Sequence, residues 1–256
     1  MNTPFTGHEE RWQARLGKLR DVVRQELVAR QLAAELAPPP VQIIDLGCGQ
    51  GTQAVALARR GYEVTGVDAS PELLARFERD LAAEPAEVRA RVRVEHGLIE
   101  DWAERSGVSP AGAVLCHGVL MYATDPDPLV REVARLTAPG GMASLLVRNG
   151  DALAMRPGML RDWTACAAAF GSVTYANRIG VTARADRLAD LTARLAGYGL
   201  EVTAWYGVRV FTDTAPGDAE PPPDLPTLLA CEERAGCTDP YRRVAALLHL
   251  VARRPG

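Results

Sequence analysis

The stretch Asp45-Leu46-Gly47-Cys48-Gly49-Gln50-Gly51 constrains this chain more than any other. It follows a compact apolar run, Val41 to Leu46, and precedes an amphipathic segment reaching Arg60, so a strand ends in a glycine turn that opens a helix. Backbone amides in such a turn face a ligand at the strand's carboxyl end. A dinucleotide-binding turn reads Gly-x-Gly-x-x-Gly, its third glycine letting helix and sheet approach beneath a pyrophosphate. Here Thr52 holds that third position, and the pattern is Asp-x-Gly-x-Gly-x-Gly.

The turn sits inside a strand and helix alternation. After Gly61 come a β-branched run from Val64 to Val67 and a helical segment from Pro71 to Ala83. Strands are expected at Val92 to Glu95, Gly112 to Cys116 and Met142 to Val147, with a helix from Pro128 to Thr137. This rhythm predicts an α/β, doubly wound, mostly parallel seven-stranded sheet covered on both faces. Upstream, Leu16, Leu19, Val22, Val23, Leu27, Leu32 and Leu36 keep near-helical spacing until Pro38-Pro39-Pro40 stops them, which predicts an N-terminal helix or helix pair from about Glu10. From Arg148 to Thr182 no strong strand signal appears, and an insertion forming a lid is expected. A helix at Arg187 to Tyr198 and strands at Val202 to Phe211 and Leu247 to Ala252 then complete the sheet, with a flexible stretch at Thr214 to Pro226. Four segments follow: a helical cover (1–40), a ligand-binding core (41–147), the insertion (148–182) and the completion of the sheet (183–256).

Composition narrows the class. With 47% hydrophobic residues the chain can build a core, yet its apolar runs are far shorter than the ~20 residues that cross a bilayer. The N-terminus is polar rather than signal-like, so a soluble, cytoplasmic protein without membrane attachment is expected. The five cysteines form no C-x-x-C pair and are expected to be thiols; no metal site is assigned. A net charge of −3 draws no nucleic acid at long range, although a local basic patch is compatible with it. Lys18 is the only lysine, which codon bias or selection for planar anion-binding arginines would each produce.

The glycine turn resembles the first motif of class I S-adenosylmethionine-dependent methyltransferases, in which it passes beneath the methionine part of the cofactor. Asp68 ends the second strand seventeen residues after Gly51, where a carboxylate can accept both ribose hydroxyls; an N-cap aspartate is the plainer reading. Glu100 and Asp101 follow the third strand at the place that meets the adenine amino group, or they form a surface pair. Leu136 to Gly141, L-T-A-P-G-G, resembles the turn after the fourth helix of that fold.

Other stretches carry a narrower resemblance: His117-Gly118-Val119-Leu120, Ala123-Thr124-Asp125-Pro126, Gly207-Val208-Arg209-Val210-Phe211, Asp239-Pro240-Tyr241 and Leu248 to Arg253. In this order they are similar to the bacterial tRNA 5-carboxymethoxyuridine methyltransferases, from about Gly17 to the C-terminus. That family methylates the carboxylate of a modified wobble uridine to a methyl ester. The resemblance implies a cofactor contact for Arg20 within G-K-L-R, directed at the methionine carboxylate. It also implies cofactor roles for Asp45, Gly47, Cys48 and Gly49 in the turn, for Asp68, Glu100 and Asp101, and for His117 after the fourth strand. Cys48 and Gln50 depart from the glycine and acid usual in that loop, Glu100 replaces a glutamine, and the Arg148 to Thr182 region matches poorly, where such enzymes choose substrates.

The chemistry sets what else is required. Methyl transfer from a sulfonium is an in-line displacement that needs alignment and exclusion of water. A carboxylate acceptor is already ionised and needs a cation to hold it, whereas a hydroxyl needs a base. Arg209, on a presumed strand, is the expected cation and catalytic residue, with Arg148 and Arg178 as alternatives and a solvent-facing arginine as the plain reading. His117 could serve as base for a hydroxyl. Trp12, Trp163, Tyr175, Trp205 and Tyr241 could stack on a nucleobase or simply fill the core, and His8, His96 and His249 are read as structural or exposed. The partner is therefore tRNA or a small-molecule acceptor; a cofactor-binding module without turnover is the third reading.

Overall fold

The computed structural model describes residues 16–105, 107–177 and 180–256. Expectations placed on His8, Trp12 and Arg178 lie outside these residues. Seven strands form one sheet, namely β1 (Gln42–Leu46), β2 (Glu63–Asp68), β3 (Val92–His96), β4 (Ala111–His117), β5 (Thr137–Arg148), β8 (Glu201–Val208) and β9 (Leu247–Arg253). A separate hairpin joins β6 (Thr174–Ala176) and β7 (Thr182–Arg184). The helices are α1 (Leu19–Glu35), α2 (Thr52–Arg59), α3 (Pro71–Ala82), α4 (Ala86–Arg89), α5 (Ile99–Arg105), α6 (Asp127–Leu136), α7 (Met155–Met159), α8 (Trp163–Ala169), α9 (Leu188–Gly197) and α10 (Leu225–Cys237).

Across the large sheet the order is β3-β2-β1-β4-β5-β9-β8. Pairing is parallel from β3 through β5, and β9 runs antiparallel to both β5 and β8. The doubly wound, mostly parallel seven-stranded sheet expected from the alternation is thus present. The winding reverses between β1 and β4, the switch point at which open α/β sheets hold ligands beyond their strand ends. Because β8 runs the same way as β5, its carboxyl end opens on the same edge.

Alternation along the strands sends side chains to two cores. Ile44, Val114 and Cys116 pack with Trp102 of α5, Val130 and Val133 of α6 and Leu191 of α9. Ile43, Ala113 and Leu115 pack on the opposite face with Val23 and Leu27 of α1, Val55 of α2, Phe77 of α3 and Leu229 of α10. Helix α1 buries Leu19, Val23, Leu27 and Leu32, close to one residue per turn, which places its N-terminal turns over the strand ends. Ser70 caps α3 by accepting from the Leu73 amide at 3.4 Å, and Pro71 starts the helix with its φ already set. No helix among the described residues is long and apolar enough to cross a membrane.

The structure departs from the sequence reading most in three places. Strand β8 stops at Val208 rather than Phe211, because Arg209 turns into the left-handed region at φ 62° and the next amides bind a carboxylate instead of a neighbouring strand. Residues after Asp213 are irregular up to Leu225, but a helix that was not expected, α10, then runs to Cys237. The segment after β5 contains α7, α8 and the β6–β7 hairpin where no strand was foreseen; three-residue strands are too short to show an alternation.

Candidate active site

One cavity of about 530 Å³ opens along the carboxyl ends of β1, β2, β4, β5 and β8, walled by α1 and by the segment after β5. At its β1–β2 end lies the glycine turn. Gly47 and Gly51 have φ of 74° and 78°, and an added Cβ would meet Val119 at 2.3 Å and Phe77 at 2.2 Å. Only glycine fits either position. Cys48 lines the cavity, and its sulfur packs so near β2 that a Cβ on Gly66 would lie 3.0 Å from it. Burial raises this thiol's pKa, and the carboxylates of Asp45 and Asp68 add to the effect, so it stays protonated.

Asp68 does not cap α3. Its carboxylate accepts from the Gly49 amide and the Ser70 amide, each at 2.8 Å, which fixes both oxygens at the cavity wall while leaving them acceptor capacity. Burial pushes its pKa up, and the amide hydrogen bonds work against that rise. Asp45 is 3% exposed and lines the cavity behind the turn; burial and the neighbouring Asp68 raise its pKa to about 7 against the pull of Arg24. Glu100, at the start of α5, also lines the cavity. Asp101 lies on the exposed side of the helix and does not.

His117 ends β4 between the two ends of the cavity. Its Nε2 lies 2.8 Å from Ser144 Oγ, which lies 2.7 Å from His249 Nε2, whose Nδ1 is 2.7 Å from Gln31 Oε1. With Gln31 accepting, His249 donates from Nδ1 and accepts the serine proton, and His117 donates Nε2–H to Ser144. Burial depresses both imidazoles, His249 to about 3 and His117 well below its ordinary value with help from His249 and Arg24, so both rings are neutral. His249 is fully buried in this polar chain.

The β5–β8 end is cationic. Arg148 at the end of β5 and Arg209 after β8 each reach a carboxylate oxygen of Asp213 at 3.3 Å. The backbone carbonyl of Asp213 accepts from Arg20 of α1 at 3.0 Å and from Arg156 of α7. Arg24, one turn after Arg20, lines the same cavity, as does Tyr175 of β6, whose ring centroid is 5.3 Å from the Arg148 guanidinium carbon. Burial lowers the Arg209 pKa, Asp213 counteracts it, and Arg148 and Arg24 lower it further; a guanidinium nonetheless stays charged. Burial would raise Asp213, but Arg209, Arg148, Arg20 and Arg156 outweigh it and hold the carboxyl below the usual range.

Arg209 is therefore neither a strand residue nor a solvent-facing one. The left-handed bend that ends β8 turns it into the cavity, with 14% of its side chain exposed. The bend is held by Glu232 of α10, whose fully buried carboxylate accepts from the amides of Val210, Phe211 and Thr212 and from the Thr212 hydroxyl, at 2.7 to 3.0 Å. Among the aromatic candidates, Tyr175 lines the cavity, Trp163 and Tyr241 are exposed, and Trp205 stacks under Arg242 with 3.9 Å between ring centroid and guanidinium carbon. Sequence reasoning missed Arg24, Arg156, Asp213 and Glu232. Arg24 was within reach, since it shares a helix face with Arg20 at i+4.

Taken together, the carboxylates beside the glycine turn at one end suit a ribose and a cationic amino acid moiety, while arginines near α1 suit that moiety's own carboxylate. S-adenosylmethionine presents these groups, and the cavity lies within the ~300–1,000 Å³ range of small-molecule sites. The family described as methyltransferase domain matches residues 43–141. The tRNA 5-carboxymethoxyuridine methyltransferase of Escherichia coli (strain K12) is 26% identical over 248 residues, covering 93% of this chain and 89% of that one. A ubiquinone biosynthesis O-methyltransferase of Xanthomonas campestris is 34% identical over 120 residues, 46% of this chain and 47% of the relative. Magnesium protoporphyrin IX methyltransferase from Synechocystis PCC 6803, solved with bound SAH, superposes with a TM-score of 0.65 at 16% identity, covering 98% of this chain and 96% of that one. The chain is an S-adenosylmethionine-dependent methyltransferase of class I fold, and its near-full-length sequence similarity is to the bacterial tRNA 5-carboxymethoxyuridine methyltransferases.

Proposed function

We propose that this enzyme methylates a carboxylate, that of wobble 5-carboxymethoxyuridine in tRNA, and that it does so in the cytoplasm. The observation that carries the reading is the pair of buried guanidiniums, Arg148 and Arg209, on the wall of the cavity at its β5–β8 end. Bound S-adenosylmethionine would supply an electrophilic methyl group and take the leaving electron pair on its sulfur, and an ionised carboxylate would accept that methyl group as an ester. No proton moves, so no base is required. What the protein must supply is orientation. A guanidinium binding one carboxylate edge fixes which oxygen faces the methyl group, and Arg209 has this catalytic role. Arg20, Asp45, Gly47, Cys48, Gly49, Asp68, Glu100 and His117 hold the cofactor. The placement of Asp101 gives it no part on the cavity wall.

In this reading the described part of the segment after β5, which contributes Arg156 and Tyr175 to the cavity wall, covers the acceptor, and α1 covers the cofactor's methionine end. The excess of arginines at this end provides local attraction for an anion in a chain whose net charge is −3. A hydroxyl of a small molecule is the second reading, favoured by the neutral His117 on the cavity wall. Nucleoside mass spectrometry of tRNA from a deletion strain separates the two. Loss of the methyl ester at the wobble uridine, restored by the wild-type gene, is the expected result; an unchanged ester content overturns the proposal and directs the search to metabolite pools.

A further inference from the structure

The arrangement of the arginines poses a puzzle of its own. A carboxylate, Asp213, already stands where the proposed acceptor must bring another, and for affinity alone it is a handicap. Its geometry is informative. The two oxygens diverge, Oδ1 toward Arg209 Nη2 and Oδ2 toward Arg148 Nη1, each at 3.3 Å. The backbone carbonyl is pinned by Arg20 from α1 and by Arg156 from α7, so Asp213 is fixed by its main chain and its side chain alike. Each of its two guanidinium partners keeps a buried Nε with no hydrogen-bond partner. Two guanidiniums facing one cavity without a counter-ion repel each other and turn toward solvent. With one counter-ion between them they are held at a set separation and angle.

We propose that Asp213 is a positioning residue: it aims Arg148 and Arg209 as a two-guanidinium cradle for the acceptor's anionic group and locks that cradle to α1 and to the segment after β5. The inference rests on the carboxylate reading above and deepens it by adding Arg148 to the cradle. It makes a prediction that a purely supportive role would not. Removing the negative charge makes the cradle more attractive to anions and less able to orient them, so binding and turnover move in opposite directions.

The test is the Asp213→Asn protein, assayed with undermethylated tRNA from the deletion strain at constant ionic strength. Its affinity for S-adenosylhomocysteine, measured by calorimetry, should stay within two-fold of wild type. The kcat should fall at least ten-fold, the KM for tRNA should hold or drop, and inorganic sulfate should inhibit at a several-fold lower concentration. A kcat within two-fold of wild type, or unaltered sulfate sensitivity, overturns the inference. Should Asp213→Asn fail to bind S-adenosylhomocysteine, Asp213→Glu carries the test, since it keeps the charge and shifts it by one methylene: kcat should fall while sulfate sensitivity remains that of wild type, and a wild-type kcat overturns the inference. Full turnover in Arg209→Ala would instead remove the carboxylate reading itself. A crippled Arg209→Ala beside a fully active Asp213→Asn would remove only the role of Asp213.

Discussion

The two ends of the cavity are built by different means. At the β1–β2 end, ligand-facing groups come from consecutive strand ends, and the Gly49 amide of the glycine turn and the Ser70 amide brace the Asp68 carboxylate. At the β5–β8 end, Arg20, Arg148, Arg156 and Arg209 come from an N-terminal helix, a strand end, a short helix and a post-strand bend, and all converge on Asp213. The first end is acidic and local in sequence; the second is basic and assembled from distant segments. A site made from backbone turns constrains one ligand tightly. One made from side chains on separate elements can be altered one element at a time, which is how one fold accommodates many acceptors.

Arg20 belongs to both ends, touching Asp213 and, as proposed, reaching for the cofactor, but damage to Asp68 or to the Arg148–Arg209 pair should leave the other end working. The largest effect is expected for Asp68→Ala, which removes two charge-assisted hydrogen bonds of ~1.5–3 kcal/mol each and should weaken S-adenosylhomocysteine binding by about a hundred-fold or more. Calorimetry reads this directly, and unchanged affinity would take Asp68 out of the site. Arg209→Ala should do the converse, lowering turnover by about ten- to hundred-fold with cofactor affinity preserved. Arg209→Lys should recover only part of the rate, because a point charge holds position without orientation. Equal losses of cofactor binding and turnover in Arg209→Ala would mean that the two ends are one site.

The same division explains what the sequence disclosed. The sheet, the glycine turn and Asp68 were legible because each is encoded within a few residues, by a β-branched run followed by Gly or Asp. Asp213 and Glu232 were not. Nothing in G-V-R-V-F says that β8 stops at Val208, since Val210 and Phe211 extend the strand pattern; the bend exists because Glu232, about twenty residues on, gathers the amides that a strand would have used. Arg209 is picked out by resemblance as a strand residue, and the structure gives it a left-handed bend instead. Asp101 differs from its neighbour: adjacent residues on a helix point about 100° apart, and here Glu100 lines the cavity while Asp101 lies on the exposed side of α5.

Glu232→Gln should show how far the cationic end depends on that bend. The amide offers one oxygen where the carboxylate offered two, and its NH₂ would face backbone donors. A stability loss of about 1–3 kcal/mol is expected, equivalent to roughly 2–4 °C in Tm per kcal/mol for a chain of this size. Turnover should fall with it as Arg209 loses its aim. Thermal unfolding and steady-state kinetics of the variant check both; a drop in Tm with full turnover would mean that Asp213 alone holds Arg209.

The smallest effect expected is on the pH dependence of cofactor binding, and its sign tests whether the acidic end recognises positive charge. In the free protein, burial and Asp68 raise Asp45 to about 7, so much of it is protonated under mildly acidic conditions. A bound amino acid ammonium stabilises the ionised form, lowers that pKa and releases a proton. Affinity for S-adenosylhomocysteine should therefore rise with pH, by roughly ten-fold between pH 5.5 and 7, and level off once Asp45 is ionised in the free protein. Stability of the free protein runs the other way. Between the unfolded carboxyl pKa near 4 and the folded value of about 7, the native state holds the proton and the unfolded chain does not, so this group makes the protein less stable as pH rises through that window. Calorimetry in buffers of different ionisation enthalpy measures the released proton, and Asp45→Asn should abolish it and flatten the profile. Affinity that falls with pH over this range, or proton release that survives the substitution, would show that Asp45 only supports the turn and that the acidic end holds its ligand through Asp68.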